Sequence, residues 1–470
     1  MKAFPYFSDI RFWIVVFLII RLIGITNPPL EVEHNWRQTT VTMVARNFLE
    51  LDNNIFYPRI DFAGDKTGIT GMEFPLLNYM IYGVAEIFGY QHWYGRLINL
   101  FVSSIGLWFF YRLVSLFFKE SVSFNATLVL SVSIWFQFSR KIMPDTFAMS
   151  LIIAGIYYGF KFLKSQNPLA MRKEALAYFL LILLGVLAKL PSGYLLIVFV
   201  FPIFDSTIAV KRKVLFVCLS GLALVPALWW YFYWVPFLVE SYGFWHFFMG
   251  KSITMGFKEI IAHGQATAQK FYDTALKFIG FGLFVWGIIM AYQKRESRIF
   301  WILVFTLSTF SIVILKAGYT FPHHNYYIIP FVPVMALVAG FGLSSIDNKK
   351  VRIFLVTAIA IEGIANQQHD FFLKPSSQQL LNLESDLDQI SQPNDFIAIN
   401  SGDVPTPMYF AHRKGWILHQ EDLLNLSYLE DLKSKGLKFV VVLNNNQTKF
   451  ISDHLGSLVL EKEGYSIYAR

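Results

Sequence analysis

The residues best suited to chemistry fall within one polar stretch, residues 31–75, which lies between two apolar runs. It carries the ionisable side chains Glu31, Glu33, His34, Arg37, Asp61, Asp65 and Glu73. Within it, the segment VTMVARNFL places Val41, Val44 and Phe48 on one stripe, which predicts an amphipathic helix. Carboxylates can take a proton from a hydroxyl group and cations can hold an anion, so we expect the chemistry in this loop.

The composition indicates a polytopic α-helical membrane protein. Of the 470 residues, 55% are hydrophobic and 18% aromatic, and the mean hydropathy is +0.46. Charged residues make up 15% of the chain and cluster between apolar runs, as membrane insertion requires. The formal charge of +8 is therefore better explained by topology than by nucleic acid, for which we expect no affinity. The single cysteine, Cys218, excludes an intrachain disulfide.

Apolar runs near the length of a bilayer crossing predict the scaffold. About eleven qualify as spans, at residues 12–26, 95–118, 121–138, 144–163, 174–190, 192–209, 214–236, 275–292, 299–317, 325–345 and 351–366. The shorter run at 75–88 is interpreted as a helix lying at the membrane interface. With the N-terminus in the cytoplasm, the basic clusters between spans then fall inside, as the positive-inside rule requires.

This topology predicts a protein of the bacterial inner membrane that has two domains. Residues 1–366 form a transmembrane domain whose first extracytoplasmic loop is 27–94, and residues 367–470 form a soluble extracytoplasmic α/β domain. In the latter the pattern predicts helices in 377–390 and 421–436 and strands in 394–400 and 437–445. The C-terminal residues are predicted as a hairpin that turns at 462–464.

Several cations do not follow the positive-inside rule. Arg140, Lys141, Lys189 and Lys316 fall at the outer ends of spans, and Arg37 lies in the first loop. A charge close to hydrocarbon is costly, so such positions favour a function. Together they would form a basic pocket for a lipid phosphate. The alternative for any single cation is that its side chain extends to the outer headgroups.

Carboxylates accompany these cations. Asp145 follows Pro144 at the start of a span, and Glu73 precedes the interfacial helix. One carboxylate could deprotonate an acceptor hydroxyl while others hold sugar hydroxyls or a metal. As alternatives, Asp145 would only satisfy a helix dipole and Glu73 would be a solvated loop acid. A divalent metal held by Glu33, His34, His323 and His324 is conceivable, although their spacing matches no standard ligand set.

These blocks resemble the membrane-embedded glycosyltransferases of the GT-C fold, in the branch of the protein O-mannosyltransferases and the lipid A aminoarabinose transferase. Five blocks occur in the same order: the acidic first loop ending in ARNF, then GMEFPLLNY, RKIMPDTFAM, GVLAKLPSG and HHNYYIIPFVPVMAL. The resemblance implies a polyprenyl-phosphate sugar as donor, an acceptor lipid, glycan or protein at the outer face, and transfer with inversion.

The resemblance also implies roles for individual residues. Glu73 matches the essential glutamate, Asp145 the acid of the second outer loop, and Lys189 the basic residue near the donor phosphate. Relatives often carry an Asp-Glu pair after the first span, and this chain has Glu31 and Glu33 in that region instead. Glu33 is therefore the expected general base, with Asp145 as the alternative.

A second departure affects the phosphate contacts. Phe74 stands where relatives have a lysine, so Arg37 or Arg140 would have to replace that contact. His323 and His324 complete the expected set around the phosphate.

Two other classes of function stay open. A transporter or lipid flippase usually has its ionisable groups near the middle of the membrane, whereas the spans of this chain are almost free of charge there. An assembly subunit that keeps the fold without activity would account for the missing Asp-Glu pair. The one-sided distribution of charge favours the enzyme.

Overall fold

The computed structural model describes residues 5–244, 250–443 and 455–470. Packing divides the chain into two units. The helical unit comprises Met1–Ile25, Arg96–Tyr233 and Phe248–Gln368, and the mixed unit comprises Thr26–Gly95, Trp234–Phe247 and His369–Arg470. The first loop, which the sequence analysis assigned to the transmembrane domain, thus packs in the same unit as the C-terminal domain. The predicted boundary at 366/367 stays a prediction.

The described residues contain the following α-helices in chain order: α1 (Ile10–Arg21), α2 (Asn35–Glu50), α3 (Leu76–Phe88), α4 (Tyr94–Val114), α5 (Glu120–Val132), α6 (Ile134–Phe138), α7 (Pro144–Lys164), α8 (Pro168–Ala188), α9 (Val200–Phe204), α10 (Val210–Trp229), α11 (Val235–Tyr242), α12 (Ile253–Ala262), α13 (Gly264–Gln269), α14 (Lys277–Gln293), α15 (Ser297–Ala317), α16 (Thr320–His323), α17 (Val332–Ser344), α18 (Lys349–Ala365), α19 (Pro375–Gln378), α20 (Leu383–Asp388), α21 (Thr406–Ala411) and α22 (Leu426–Ser434). The longer 3-10 segments are Leu190–Phe199 and Asn325–Phe331, and π-helical turns occur at Trp230–Trp234 and Lys270–Ala275.

A multi-pass helical membrane protein is confirmed. Within the described ranges, five stretches are long and apolar enough to cross a membrane: Tyr94–Val114, Pro144–Lys164, Val210–Tyr242, Ser297–Ala317 and Asn325–Ser344. A sixth results if Gly264–Ala275 and Lys277–Gln293, which meet at 95°, are counted as one span. The larger number of about eleven stays a prediction.

Some predicted spans differ from the helices that form. The run 121–138 is interrupted at Ser133, whose hydroxyl donates to the Leu130 carbonyl and accepts from the Trp135 backbone N–H. Because this side chain competes for backbone partners, the run becomes the two helices α5 and α6. The run 192–209 begins instead with the 3-10 segment, and the interfacial run 75–88 is the short helix α3.

Close contacts between backbones hold the helical unit together. Helix α17 packs between α5 and α14. A Cβ added at Gly287 of α14 would lie 2.0 Å from the Val338 carbonyl oxygen, and one at Gly340 of α17 would lie 2.4 Å from the Ala126 nitrogen. Small residues permit this approach between helices in a bilayer.

Replacing Gly287 by alanine should therefore destabilise the protein, because the methyl group has to displace backbone. The expected cost is about 1–3 kcal/mol, seen as a lower melting temperature in detergent. The matched control is Gly282→Ala in the same helix, where an added Cβ meets nothing within 4 Å, so alanine should leave the melting temperature unchanged or raise it. Equal effects at the two positions would contradict this packing.

The mixed unit contains a five-stranded sheet in the order β2-β1-β3-β5-β4. Its strands are β1 (Phe396–Ile399), β2 (Gly415–Ile417), β3 (Leu437–Leu443), β4 (Ser457–Glu461) and β5 (Tyr465–Ala469). The first three strands are parallel, and β5 pairs antiparallel with both β3 and β4. Strands β1 and β3, helix α22 and the β4–β5 hairpin confirm the predictions from sequence. The predicted helix at 377–390 is limited to α20 and shorter turns, while β2 and α21 were not predicted.

The two faces of the sheet pack against different partners. Ala398, Val440 and Val442 face α22, whereas alternate residues of the same strands face α21 and the first loop. The first loop contributes Leu30, Met43, Val44, Phe48, Ile60 and Met72 to that second cluster, and the sheet contributes Ile397, Ile399, Val441 and Ile467. One hydrophobic core is therefore shared by the first loop and the C-terminal residues.

A buried arginine crosses this core. The Arg46 guanidinium donates to the Asp61 carboxylate at 3.0 Å and to the Tyr409 carbonyl at 3.2 Å, and it lies 4.7 Å from the centre of the Tyr409 ring. Asn47 donates to the other Asp61 oxygen at 2.8 Å. Together these contacts join α2, the loop after it and α21.

His412, which follows α21, makes a second such link. Its Nδ1 lies 2.5 Å from Glu384 and its Nε2 lies 2.9 Å from Glu50. Burial alone would lower the pKa of His412, but the hydrogen bonds to the two carboxylates outweigh it and raise the pKa to about 9. The doubly protonated ring is therefore the form that the folded mixed unit stabilises.

This contact predicts a pH dependence of stability. Because the pKa of His412 is raised from 6.5 to about 9 by folding, its contribution is fully present below pH 6.5 and is lost as the pH rises through about 9. Melting temperatures measured from pH 6 to pH 9.5 should fall less steeply in His412→Asn than in the wild type. Asparagine is the suitable replacement because the backbone φ is +48° here. Parallel curves would rule out the contribution.

Candidate functional site

The helical unit holds one acid–base pair from the predicted set. Asp145 lies in the first turn of α7, where Pro144 begins the helix, and Lys189 lies directly after the last residue of α8. The Lys189 Nζ is 3.3 Å from the Asp145 Oδ1, and the two side chains are 13% and 3% exposed. The other carboxylate oxygen of Asp145 is buried and has no hydrogen-bond partner among the described residues. It is available to accept a proton or a hydroxyl.

Two aromatic side chains lie next to this pair. The Lys189 Nζ lies 5.4 Å from the centre of the Tyr326 ring, and His324 stacks on Tyr326 with centroids 5.4 Å apart. A cation over an aromatic face is stabilised by the ring quadrupole. Asp145, Lys189, Tyr326 and His324 therefore belong to one site, which we call the Asp145–Lys189 site.

The two predicted histidines have different surroundings. His323 is exposed, stacks on Tyr319 at 3.9 Å, and its Nδ1 lies 2.8 Å from the Tyr319 carbonyl. Since a carbonyl only accepts, Nδ1 carries a proton in this contact. Of the two residues, only His324 stacks on the ring that lies under Lys189.

Three carbonyls in the loop before α7 accept hydrogen bonds from one side-chain amide. Asn99 donates through Nδ2 to the carbonyls of Phe138, Lys141 and Met143, at 2.8–3.2 Å. Within this loop Arg140 is 2% exposed and donates to the Ile23 carbonyl at 2.5 Å, and Lys141 is 1% exposed. Two buried cations therefore precede Asp145 in a loop that the membrane helices hold in place.

The mixed unit holds the second acid–base pair, between Arg37 and Glu73. Arg37 lies in the first turn of α2, and Glu73 lies just before α3. The guanidinium donates to Glu73 Oε1, and both side chains are buried. Glu73 Oε2 is buried and accepts no hydrogen bond from any described residue. Like Asp145, Glu73 thus has one oxygen held by a cation and one open.

The acids after the first span differ in exposure. Glu31 is 2% exposed and accepts a 2.9 Å hydrogen bond from Gln38. Glu33 is partly exposed in the turn before α2. His34 adopts a left-handed backbone with φ +59° at the start of that helix. Glu33 is therefore the more accessible carboxylate, and its role as general base stays a prediction.

Sequence reasoning missed three buried cations of the helical unit, Arg21, Arg96 and Lys270. Arg21 is fully buried and donates to Ser139 at 2.6 Å and to Ser104 at 3.3 Å. Lys270 is 8% exposed, and its Nζ lies 2.5 Å from Asn325 Oδ1. The signal for Arg21 was present, because it interrupts the apolar run at 12–26. Lys316 lies in the last turn of α15, as the sequence analysis placed it at the end of a span.

The structure thus brings the predicted residues together as two pairs, one in each unit. The prediction that all of them share one basic pocket stays a prediction. In the described part of the chain, no group of three or more His, Cys, Asp or Glu side chains could hold a metal ion. Glu33, His34, His323 and His324 therefore do not form a metal site there.

Comparison with known proteins supports the resemblance. Residues 72–230 match the model of the family described as dolichyl-phosphate-mannose-protein mannosyltransferase. The resemblance to the GT-C glycosyltransferases is confirmed. Glu73, Arg140, Asp145 and Lys189 all fall in the matched segment. No curated protein sequence is a significant match.

Solved structures show the fold. ArnT from Cupriavidus metallidurans bound to undecaprenyl phosphate is similar with a TM-score of 0.61 and 12% identity, over 97% of this chain and 98% of that chain. The Archaeoglobus fulgidus oligosaccharyltransferase in the apo form has a TM-score of 0.56 and 13% identity, over 94% of this chain and 70% of that chain. AglB from Archaeoglobus fulgidus, in complex with an inhibitory peptide and a dolichol-phosphate, has a TM-score of 0.53 and 13% identity, over 92% and 69%. The chain therefore has an ArnT-like GT-C fold.

The Asp145–Lys189 contact can be tested through stability. Lys189→Met leaves the Asp145 carboxylate buried without its cation, and such a loss costs about 3–5 kcal/mol. Adding Asp145→Asn should restore much of the melting temperature, because the charge that needs compensation is then absent. The measurement is a double-mutant cycle in detergent. Additive effects of the two changes would show that the side chains do not interact.

Proposed function

We propose that this protein is a glycosyltransferase that moves a sugar from a polyprenyl-phosphate-linked donor to an acceptor at the extracytoplasmic face of the membrane. The observation that carries the proposal is the buried Asp145–Lys189 pair with one open carboxylate oxygen, in the segment that matches the mannosyltransferase family. Two structures of similar fold contain a polyprenyl phosphate, undecaprenyl phosphate in ArnT and a dolichol-phosphate in AglB.

Lys189 is the proposed main contact of the donor phosphate. It is held in place by one Asp145 oxygen and by the Tyr326 ring, so it does not need to be ordered when the phosphate arrives. Because the Lys189 side chain is mostly shielded from water, it attracts an anion more strongly than an exposed lysine would. Arg140, His324 and His323 are proposed as further phosphate contacts, and Arg37 keeps donors beyond the one that it gives to Glu73.

The proposed reaction is a single displacement at the anomeric carbon. The acceptor oxygen forms a bond to that carbon as the bond to the phosphate oxygen breaks, and the electron pair leaves on the polyprenyl phosphate. Attack from the face opposite to the leaving group inverts the configuration. The cations stabilise the charge that develops on the phosphate in the transition state. Because this interaction is stronger there than in the bound substrate, it lowers the barrier.

The carboxylates have separate proposed roles. Glu33, the partly exposed acid, takes the proton of the acceptor hydroxyl, with Asp145 as the alternative base. Glu73 accepts a sugar hydroxyl on its open Oε2, since Arg37 fixes the direction of the carboxylate.

The topology completes the proposal. We place the N-terminus in the cytoplasm, the first loop 27–94 and the C-terminal domain 367–470 outside, and about eleven crossings between them. The acceptor is a lipid, glycan or protein of the cell envelope. A nucleotide sugar is not expected as the donor, because such sugars are not present outside the cytoplasm.

The proposal is tested by comparing cell-envelope lipids and glycans by mass spectrometry from cells with and without the gene. A sugar modification should be absent without the gene and restored by the wild type. Glu73→Gln, Asp145→Asn and Lys189→Met should each reduce it by roughly a hundredfold or more, the range of a lost catalytic group. Matched controls are Asp347→Asn and Lys294→Met, which change exposed residues and should restore it fully. Full modification by Glu73→Gln and Asp145→Asn would reject the assignment.

A further inference from the structure

A cavity of about 410 Å³ lies in the C-terminal sheet domain, and none of its described lining residues was given a role above. Its lining residues follow the parallel strands: Asn400, Ser401 and Gly402 come after β1, His419 and Gln420 after β2, and Leu443 ends β3, with Val404 and Pro407 beside them. The volume is within the range of ~300–1,000 Å³ that is usual for small-molecule sites.

The position within the sheet is the one at which open α/β sheets bind ligands. The chain goes from β1 to β2 on one side and then returns past β1 to β3 on the other. The connecting helices α21 and α22 pack on opposite faces of the sheet. The strand order therefore reverses at β1, and the crevice outside the carboxyl ends of the strands at such a point is the expected binding place.

A chain of hydrogen bonds fixes which polar atoms the cavity offers. The Leu443 backbone N–H donates to Asn400 Oδ1 at 2.6 Å, so the Asn400 Nδ2 is the donor in its 2.8 Å contact with Gln420 Oε1. The Gln420 Nε2 is therefore the last group of this hydrogen-bond chain, and it is a donor. It is buried and has no hydrogen-bond partner among the described residues, and the same is true of the Ser401 hydroxyl.

Buried polar atoms without partners are costly to a fold. Each buried donor or acceptor without a hydrogen bond lowers the stability of the fold by about 1–3 kcal/mol. Two of them on residues that line one cavity are therefore available to hydrogen-bond a molecule that enters it. Native proteins keep few such groups, and those that remain call for a reason.

We propose that this cavity binds a neutral sugar unit. The two open groups, an amide N–H and a hydroxyl, suit the alternating donor and acceptor character of sugar hydroxyls. Val404, Pro407 and Leu443 provide an apolar wall for the C–H face of a pyranose ring. None of the described lining residues is lysine or arginine, which disfavours a phosphate or a nucleotide. Glycan binding at this cavity does not depend on the proposed transfer reaction.

The test is saturation-transfer NMR on the full-length protein, purified in a detergent without a sugar headgroup. The probes are the methyl glycosides of mannose, glucose, galactose and N-acetylglucosamine. Inorganic phosphate is the charged comparison, and its binding is measured by ³¹P line broadening because it has no C–H protons. At least one glycoside should bind and phosphate should not. Ser401→Ala and Gln420→Glu should each weaken binding about threefold to tenfold, as expected for one lost hydrogen bond. Gln420→Glu keeps an oxygen for the Asn400 donor and replaces the N–H donor by a charged oxygen that can only accept.

Two further variants separate this site from the proposed transfer site. Asp145→Asn should bind the glycoside as the wild type does, because its carboxylate is not part of the cavity; loss of binding there would assign the signal to the transfer site and overturn the proposal. Ser427→Ala, a hydroxyl at the start of α22, should also have no effect. Ser401→Ala should leave the melting temperature of the free protein unchanged or higher, since the hydroxyl it removes is unpaired.

If no glycoside binds the wild type, the cavity holds water only. The same follows if Ser401→Ala and Gln420→Glu bind the glycoside as tightly as the wild type does. Tighter binding of phosphate, from a ³¹P titration, than of any glycoside would overturn the choice of a neutral ligand.

Discussion

A cation removed from water must be compensated by the protein, and this constraint organises both units. In the mixed unit, Arg46 is met by Asp61 and by the Tyr409 carbonyl and ring. In the helical unit, Lys189 is met by Asp145 and the Tyr326 ring. The first arrangement uses both oxygens of its carboxylate, because Asn47 donates to the second one. The second leaves one oxygen without a partner.

That difference is one reason for proposing a reactive role for the Asp145–Lys189 pair and a structural role for the Arg46–Asp61 pair. A carboxylate whose oxygens are both engaged, as in Asp61, has nothing left to offer a substrate. Asp145 and Glu73 each use one oxygen to fix a cation and keep the other buried and open. Leaving such an atom unmatched lowers stability, and functional sites are where proteins accept that cost. Glu174 also has an unpaired buried oxygen among the described residues, and its other oxygen lies 3.9 Å from the Lys161 Nζ. The open oxygens therefore support the choice of Asp145 and Glu73 only together with the family match.

The sequence was informative where one local pattern determines the structure. The stripe of Val41, Val44 and Phe48 predicted α2, and the run of β-branched residues in 437–443 predicted β3. Strand β2 has only three residues, Gly415–Ile417, which is too short for a periodic signal. The break at Ser133 depends on one side chain that competes for backbone groups, which average hydropathy does not register.

Pairings between distant residues were less accessible. Family resemblance pointed to Glu73, but its contact with Arg37 depends on the folded first loop. Neither pattern nor resemblance indicated that this loop shares a core with the C-terminal sheet. Its apolar residues Leu30, Ile60 and Met72 are scattered singly among polar ones, so they carry no periodicity.

The shared core explains why the C-terminal residues matter to the first loop. Met43, Val44 and Met72 are buried in a cluster whose other half is the sheet and α21. Arg37 is on the same helix as Met43, and Glu73 is the next residue after Met72. The side chain of Asn78 also donates to the Val41 carbonyl at 2.8 Å and so ties α3 to α2. Without the sheet, these apolar side chains would face water, and the helix and loop that hold the Arg37–Glu73 pair would lose the packing that fixes them. The C-terminal domain thus has a structural role in positioning Glu73, whatever else it binds.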